Sequence, residues 1–363
     1  MDVANEKYYF NPYLRCIICN EDELLVKHGS RSSFSIVLKD EKKTRLLGKV
    51  AKHFRSPLSV NDFYLQGQIS DKKLKEEVIP LINTLYEQNI LIKPSENSAD
   101  VYFRTILKGE ENGTFSSLQF GVIGSGDLGK RVITNLLNFR PNKIIFYDER
   151  KYTSNPHGMT SAYPFLYSEG GTYTDSFMAY LSGLGINNIN GITGRFDDQK
   201  KIKEIFENND FVIICVEFFS PKLLHTVNQV AISVGKPWMS VLIDGSLAII
   251  GPIYVPGETL CYSEFETQVE SSMQYFDEYS LYREHLEQED VSTPPILPPL
   301  LDITSGYALM FISRFVLKKK SSLLDKAIFI NFEDMSLDSQ HLLKLPRCPA
   351  CQGTRPPYKN SFV

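Results

Sequence analysis

One stretch constrains this chain more than any other. Residues 118–123 form a continuous apolar run, Gly124-Ser125-Gly126-Asp127-Leu128-Gly129 follows, residues 130–139 carry a helical period, and 143–147 form a second apolar run that ends at Asp148. An uninterrupted apolar strand is buried on both faces, and a G-x-G-x-x-G turn lets the backbone pass from such a strand directly into a helix. The stretch predicts a βαβ unit opening a doubly wound α/β domain. The alternation continues with a helix at 175–184, a strand at 187–193, a helix at 198–207, a strand at 211–216, a helix at 221–234 and a strand at 238–242. Such alternation gives a mostly parallel sheet. Beyond Gly245 the pattern changes. Residues 246–256 read as two short strands meeting at a turn, and a long helix starts at Glu266. The Pro-rich 292–299 breaks the chain, and a helix to Leu317 precedes a strand at 327–332.

The N-terminal part is built differently. Three β-rich runs at 15–20, 23–29 and 33–38 are separated by the turn formers Asn20-Glu21-Asp22 and Gly29-Ser30, which predicts a small antiparallel meander. Helical spacing follows at 42–54, a short element at 59–65, and a helix at 72–88 with Leu74, Val78, Leu81, Ile82 and Leu85; 90–92 returns as a strand. Three strands and three helices are the outline of a winged helix. Glu76 and Glu77 on its third helix are wrong for contact with phosphates, so the module points instead to peptide binding on an exposed sheet edge. The expected organisation is a winged-helix-like module at 1–93, a polar linker at 94–116 and the α/β domain at 117–363.

The whole-chain charge narrows the partners. Lys plus Arg number 39 and Asp plus Glu 43, for a net charge of -4, with no basic block that would follow a nucleic-acid backbone. The first fifteen residues lack the basic-then-apolar order of a secretion signal, and the most apolar late stretch, 306–317, is interrupted by Arg314. A cytoplasmic protein with no nucleic-acid or membrane partner is expected. Six cysteines are too few for a disulfide scaffold, and closely spaced pairs then signal metal or simple burial.

Two sets of residues carry chemistry. In the glycine turn, backbone N–H groups and a helix N-terminus can meet a phosphate while Asp148 holds a ribose hydroxyl; equally, the glycines can serve only tight strand-to-helix packing, since Asp127 puts a negative charge where the phosphate would approach. Among the cysteines, Cys16 and Cys19 share a strand, where their odd offset sends the thiols to opposite faces, so both read as structural. Cys348-Pro349-Ala350-Cys351, with Pro346 before it and Gly353 after, suits a zinc-knuckle turn, though simple burial explains it as well.

The run from Asp148 through Asn155, with residues 210–217 ending at Glu217, resembles the ThiF family, relatives of the ubiquitin-activating enzymes. The resemblance covers about residues 117–350 and implies an ATP site of Gly124, Gly126, Gly129, Asp148 and Asn155, with Glu217 where the family places its Mg²⁺-binding Asp. The family's arginine is replaced by Gly158 and its lysine has no counterpart between Lys151 and Lys200, where Arg195 is the basic residue left. This implies a vestigial site and a chain that does not itself use ATP. Residues 251–264 resemble the family's G-P-x-x-x-P-G-x-T-x-C-x-x-C segment, which implies a structural zinc held by Cys261, Cys348 and Cys351. Glu264 stands where the fourth cysteine belongs; Glu264 ligates, His341 substitutes, or the metal is lost.

The order of parts resembles the ThiF-like C or F proteins that partner YcaO cyclodehydratases, the enzymes that form azolines in ribosomally synthesised, post-translationally modified peptides (RiPPs) such as bacteriocins. The resemblance implies a non-catalytic, homodimeric subunit. Its N-terminal RiPP recognition element would clamp a precursor leader as an added strand along Ser33, Phe34, Ser35, Ile36, Val37 and Leu38, beside a groove formed with Leu74, Val78 and Leu81. A YcaO partner would use the ATP, and a flavin-dependent azoline dehydrogenase is a further implied partner. Lys27, His28 and Arg31 offer cations to an acidic leader, or form an ordinary solvated turn. Two rivals stand beside this reading: an active ThiF-type enzyme adenylating a peptide or carrier-protein C-terminus, and a nicotinamide- or flavin-dependent oxidoreductase.

Overall fold

A computed structural model describes residues 5–67, 70, 73–106, 115–148, 150–151, 171–194, 198–217, 219–288, 296–318 and 324–354. The chain divides into two compact units, 1–113 and 114–363.

In the small unit the meander forms as read. β2 (Arg15–Asn20), β3 (Glu23–Lys27) and β4 (Ser35–Lys39) make one antiparallel sheet in the order β2-β3-β4. Period-two alternation decides what each residue meets. Leu24 and Val26 are buried, Ile36 and Leu38 pack inward against the core, and Val37 between them is 49% exposed. Helices α1 (Leu46–His53), α2 (Val60–Gly67) and α3 (Ile79–Glu87) close the core through Val50, Phe54, Phe63 and Ile82. Immediately before α3, Leu74–Val78 takes π-helical form. A second small sheet was not foreseen: β1 (Lys7–Phe10) pairs antiparallel with both β5 (Leu58–Ser59) and β6 (Leu91–Ile92). The segment expected as a linker contains α4 (Ser98–Ile106), whose Val101 and Phe103 are buried. Its Thr105 Oγ1 accepts a hydrogen bond from the Asn11 side-chain amide at 2.7 Å.

The large unit is the expected doubly wound domain. Its strands are β7 (Gln119–Ile123), β8 (Lys143–Tyr147), β9 (Ile189–Ile192), β10 (Phe211–Val216), β11 (Trp238–Asp244), β12 (Leu247–Tyr254), β13 (Lys326–Asn331) and β14 (Ser336–His341). They lie in the order β14-β13-β12-β11-β10-β7-β8-β9. The run from β11 to β9 is parallel and the other three strands add antiparallel. Helices α5 (Asp127–Leu137), α6 (Tyr173–Gly183), α7 (Gln199–Asn208) and α8 (Pro221–Val234) supply the crossovers. The C-terminal part adds α9 (Tyr262–Ser271), α10 (Phe276–Gln288) and α11 (Pro298–Lys318). β10 is buried throughout because both faces are covered. Phe211 meets Phe315 of α11 with ring centroids 5.5 Å apart, while Val212 joins the cluster of Ile205 on α7 and Val227 on α8.

Two readings of the C-terminal half are corrected. Residues 247–254 are one strand, not two meeting at a turn. β12 pairs with β13 over Leu247–Ile250 and stays paired to β11 as far as Tyr254. Pro252, which has no N–H to give, sits where the β11 register shifts and beyond the last β13 pair. The long helix expected from Glu266 is two helices, and the first begins at Tyr262. Glu264, at the third helical position, accepts the Cys261 N–H at 2.7 Å, half of a capping box in which cysteine takes the place of the usual serine or threonine.

Candidate functional site

The glycine turn joins β7 to α5. Gly124 has φ +102, and a Cβ there would lie 1.9 Å from the Cys215 carbonyl oxygen of β10, so the position admits only glycine. A Cβ at Gly126 would lie 2.1 Å from a Glu217 carboxylate oxygen, and one at Gly129 2.1 Å from the Gly124 carbonyl. The turn therefore packs as tightly as the packing reading expects, and two of its main-chain amides are aimed at an anion. That anion is the protein's own. The Ser125 N–H donates to Asp148 Oδ2 at 2.6 Å and the Leu128 N–H donates to Glu217 Oε1 at 2.6 Å.

A cation that sequence reasoning passed over binds the two carboxylates together. Arg150 donates from Nε and Nη2 to Asp148 at 3.1 and 2.9 Å, and from Nη1 to Glu217 at 3.2 Å. Arg150 stands two residues past Asp148, just ahead of the 151–200 stretch in which the family resemblance places a lysine. Asp148 and Glu217 are buried. Burial pushes the Glu217 carboxyl upward, opposed by Arg150 and the Leu128 amide; burial pulls the Arg150 pKa down, yet Asp148 and Glu217 outweigh it and hold that guanidinium charged.

Lys130, directly after the third glycine, is a second cation at the turn. Its side chain is fully buried, with Nζ 4.5 Å from the Tyr173 ring centroid. Burial pulls its pKa from 10.5 to about 8 against the raising effect of Asp127, Glu217 and Asp148. The folded chain then releases a proton that the unfolded chain keeps up to pH 10.5. The cost of burying the ammonium is fully present below pH 8 and is relieved as pH rises toward 10.5, so stability rises with pH across that interval. Denaturation series from pH 7 to 10.5 should show Lys130→Met losing this gain; parallel curves for the two proteins would exclude it. Asn155, Gly158 and Arg195 lie outside the described residues.

At the start of α9 the second set of residues comes together. Ligand atoms of Cys261, Glu264, Cys348 and Cys351 all lie within 4.8 Å of one another, and all four residues are buried. Cys261 Sγ and Cys348 Sγ are 3.6 Å apart, close to the edge of about 3.8 Å that a tetrahedron with 2.3 Å zinc–sulfur bonds requires. Glu264 Oε1 accepts the Leu345 N–H at 2.7 Å, and its Oε2 lies 3.4 Å from Cys351 Sγ. The carboxylate is thus oriented by main-chain donors with one oxygen turned to the thiols, a donor set that fits a tetrahedral metal ion. His341, the alternative fourth ligand, is exposed at the end of β14 and outside this cluster. Cys16 is half-buried and Cys19 exposed, on opposite faces of β2, and neither joins the cluster.

The small unit offers a third site. β4 ends its sheet, and beside Lys39 and the loop after it lies a groove of about 410 Å³ walled by Glu76, Glu77 and Leu81. Of the helical residues expected there, Leu81 lines the groove, while Leu74 and Val78 are buried in the core. Phe34 stacks on His28 at 3.8 Å between ring centroids, so this aromatic pair is engaged within the unit.

No protein-family model matches the sequence and no curated protein matches it. Solved structures do. Escherichia coli MccB with selenomethionine MccA is 19% identical, covering 95% of this chain and 99% of that chain, with a TM-score of 0.59. The fold is ThiF-like. MccB with ATP is 18% identical over the same shares with a TM-score of 0.60. A heterocyclase in complex with substrate and cofactor is 15% identical, covering 95% of this chain and 39% of that chain, with a TM-score of 0.61. Among the described residues no helix is long and apolar enough to cross a membrane.

Proposed function

We propose that this ThiF-like chain captures the leader of a ribosomally made precursor peptide on the free edge of β4 and presents it to a separate, ATP-using YcaO cyclodehydratase. The observation that carries the reading is the edge of β4, unpaired among the described residues, whose last residue Lys39 borders the groove of the small unit. An added strand gains main-chain hydrogen bonds from such an edge, and side chains at alternate positions select the sequence. In this reading the small unit is a RiPP recognition element, and the groove-facing part of the third helix is Leu81 with the π-helical turn before it. The likeness to a heterocyclase seen with its substrate, and to MccB seen with MccA, supports a peptide partner.

The large unit supports the same division of labour. A phosphate approaching the glycine turn meets Asp148 and Glu217 already seated on the Ser125 and Leu128 amides and held there by Arg150, and it would have to displace them from those N–H groups. The thiols of Cys261, Cys348 and Cys351 with Glu264 would hold a structural zinc, which ties the C-terminal segment to α9.

A second reading has its own support. The likeness to MccB extends over 99% of that chain, MccB is also seen with ATP, and Arg150 and Lys130 are cations at the turn. Adenylation of a peptide C-terminus is the activity this favours. One experiment separates the two: fluorescence polarisation of a labelled leader from a neighbouring small open reading frame, with and without ATP, beside pyrophosphate exchange. Presentation requires ATP-independent binding, weakened at least about tenfold by Ile36→Pro because proline cannot continue the β4 ladder. A leader that binds no better than its scrambled sequence would overturn the proposal, and pyrophosphate exchange would establish the adenylating reading.

A further inference from the structure

We infer that the outer face of the β2-β3-β4 sheet docks a partner protein through a segment that carries an apolar side chain beside carboxylates. One face of this meander packs on the core of the small unit through Leu24, Val26, Ile36 and Leu38, and the alternate residues point away from it. On the outward side the strand register aligns residues in rows across the sheet. Ile17 lies opposite Leu25, and Leu25 lies opposite Val37. Ile17 is 50% and Val37 49% exposed, with Leu25 half-buried between them. Single exposed apolar side chains are ordinary. A solvated antiparallel face, however, alternates to polar residues, and an apolar row that spans all the strands of the sheet departs from that pattern.

The charges on either side of the row identify what covers it. On one side Glu23 stands opposite Lys39, and the two form an ion pair at 3.5 Å that neutralises this end. On the other side Arg15 stands opposite Lys27, and neither has an acidic partner among the described residues. Like charges directly opposite one another on a sheet are destabilising, and a carboxylate brought in from outside offsets that repulsion. The face is thus neutral at one end, apolar in the middle and cationic at the other, which matches a polypeptide presenting an apolar residue next to Asp or Glu. An anionic bilayer matches less well, because surface binding draws on clusters of about four to eight Lys or Arg. A nucleic-acid backbone would meet Arg15 and Lys27 but gain nothing from the apolar row. The β4 edge offers main chain to a leader, whereas this face offers side chains, so the inference stands whether or not that edge captures a peptide.

The test uses the full-length chain and two short capped peptides that alternate Leu, Ser, Val and Ser, one led by two aspartates and the other by two lysines. Methyl NMR reads the face directly, with the signals of Ile17 and Val37 assigned through Ile17→Val and Val37→Ile. The aspartate peptide is expected to shift both signals and to bind about tenfold more tightly than the lysine peptide, a preference that shrinks as salt rises from about 50 to 500 mM. Lys27→Glu sets an opposite charge across from Arg15, so it should remove the preference while leaving Tm unchanged or higher, which separates lost docking from lost folding. Arg15→Glu combined with Lys27→Glu should reverse the preference. Equal binding of the two peptides would overturn the acidic partner. Shifts confined to other parts of the chain, or none with either peptide, would overturn the docking face. Shifts of the same two signals by vesicles of phosphatidylcholine and phosphatidylglycerol, but by neither peptide, would overturn the protein partner in favour of a membrane surface.

Discussion

Replacing Arg150 by methionine is expected to lower the stability of the large unit by about 3–5 kcal/mol, the usual cost of leaving buried charges without their partner. Asp148 and Glu217 are both buried, and Arg150 reaches both. The single tryptophan, Trp238, is buried on β11 against Tyr254, with ring centroids 4.4 Å apart, so its fluorescence during urea denaturation reports this unit. The deficit should depend on pH in a stated direction. Burial already pushes Glu217 above 4.5, and without the guanidinium nothing comparable opposes that push. The folded variant then holds a proton that the unfolded chain releases at the ordinary value. The loss is full at neutral pH and shrinks as pH falls toward 4.5. Adding Asp148→Asn and Glu217→Gln to Arg150→Met should recover much of the stability, since the orphaned charges are then gone. A single variant as stable as the parent at neutral pH would show that the triad is not needed to hold the turn.

The second large effect is on metal. The purified chain should carry one equivalent of zinc. Cys348→Ser and Cys351→Ser should lose it, and chelation should lower Tm by about 10 °C, a fall that follows if the ion contributes some 4 kcal/mol in a domain of this size. Structural zinc sites bind far more tightly than that, so the figure is a floor. Glu264→Gln weakens both roles: its one amide oxygen can accept only one of the Cys261 and Leu345 N–H groups, which Oε2 and Oε1 now take separately, and it is a poorer metal ligand. Reduced zinc content with a clear fall in Tm is expected for it. A metal-free protein whose Tm is indifferent to zinc and to both cysteine variants would mean that burial alone explains the cluster.

Much of this architecture was legible because the relevant signals are local. The apolar runs 211–216 and 221–234 coincide with β10 and α8, since a doubly covered strand and a capped crossover helix are each set by their own residues. Elements whose pairing is supplied from afar were not legible. β1 is four residues of Lys-Tyr-Tyr-Phe that become a strand because Leu58–Ser59 and Leu91–Ile92 flank it, and β14 is a polar edge held by β13. The cysteine cluster was assembled correctly from a segment resemblance, and its departure, Glu264, was visible as a change of residue. That the carboxylate also caps α9 required the helix start, which had been placed four residues too late. Arg150 was missed for a related reason. A motif search asks which side chains would meet a ligand, whereas this guanidinium faces the protein's own acids.

The glycine turn has one further consequence. Two of its amides, those of Ser125 and Leu128, are satisfied by carboxylates at the ends of the two strands that flank β7, so these acceptors are tethered and cannot be diluted away. An incoming nucleotide competes with an intramolecular ligand whose effective concentration is set by the fold rather than by the solution.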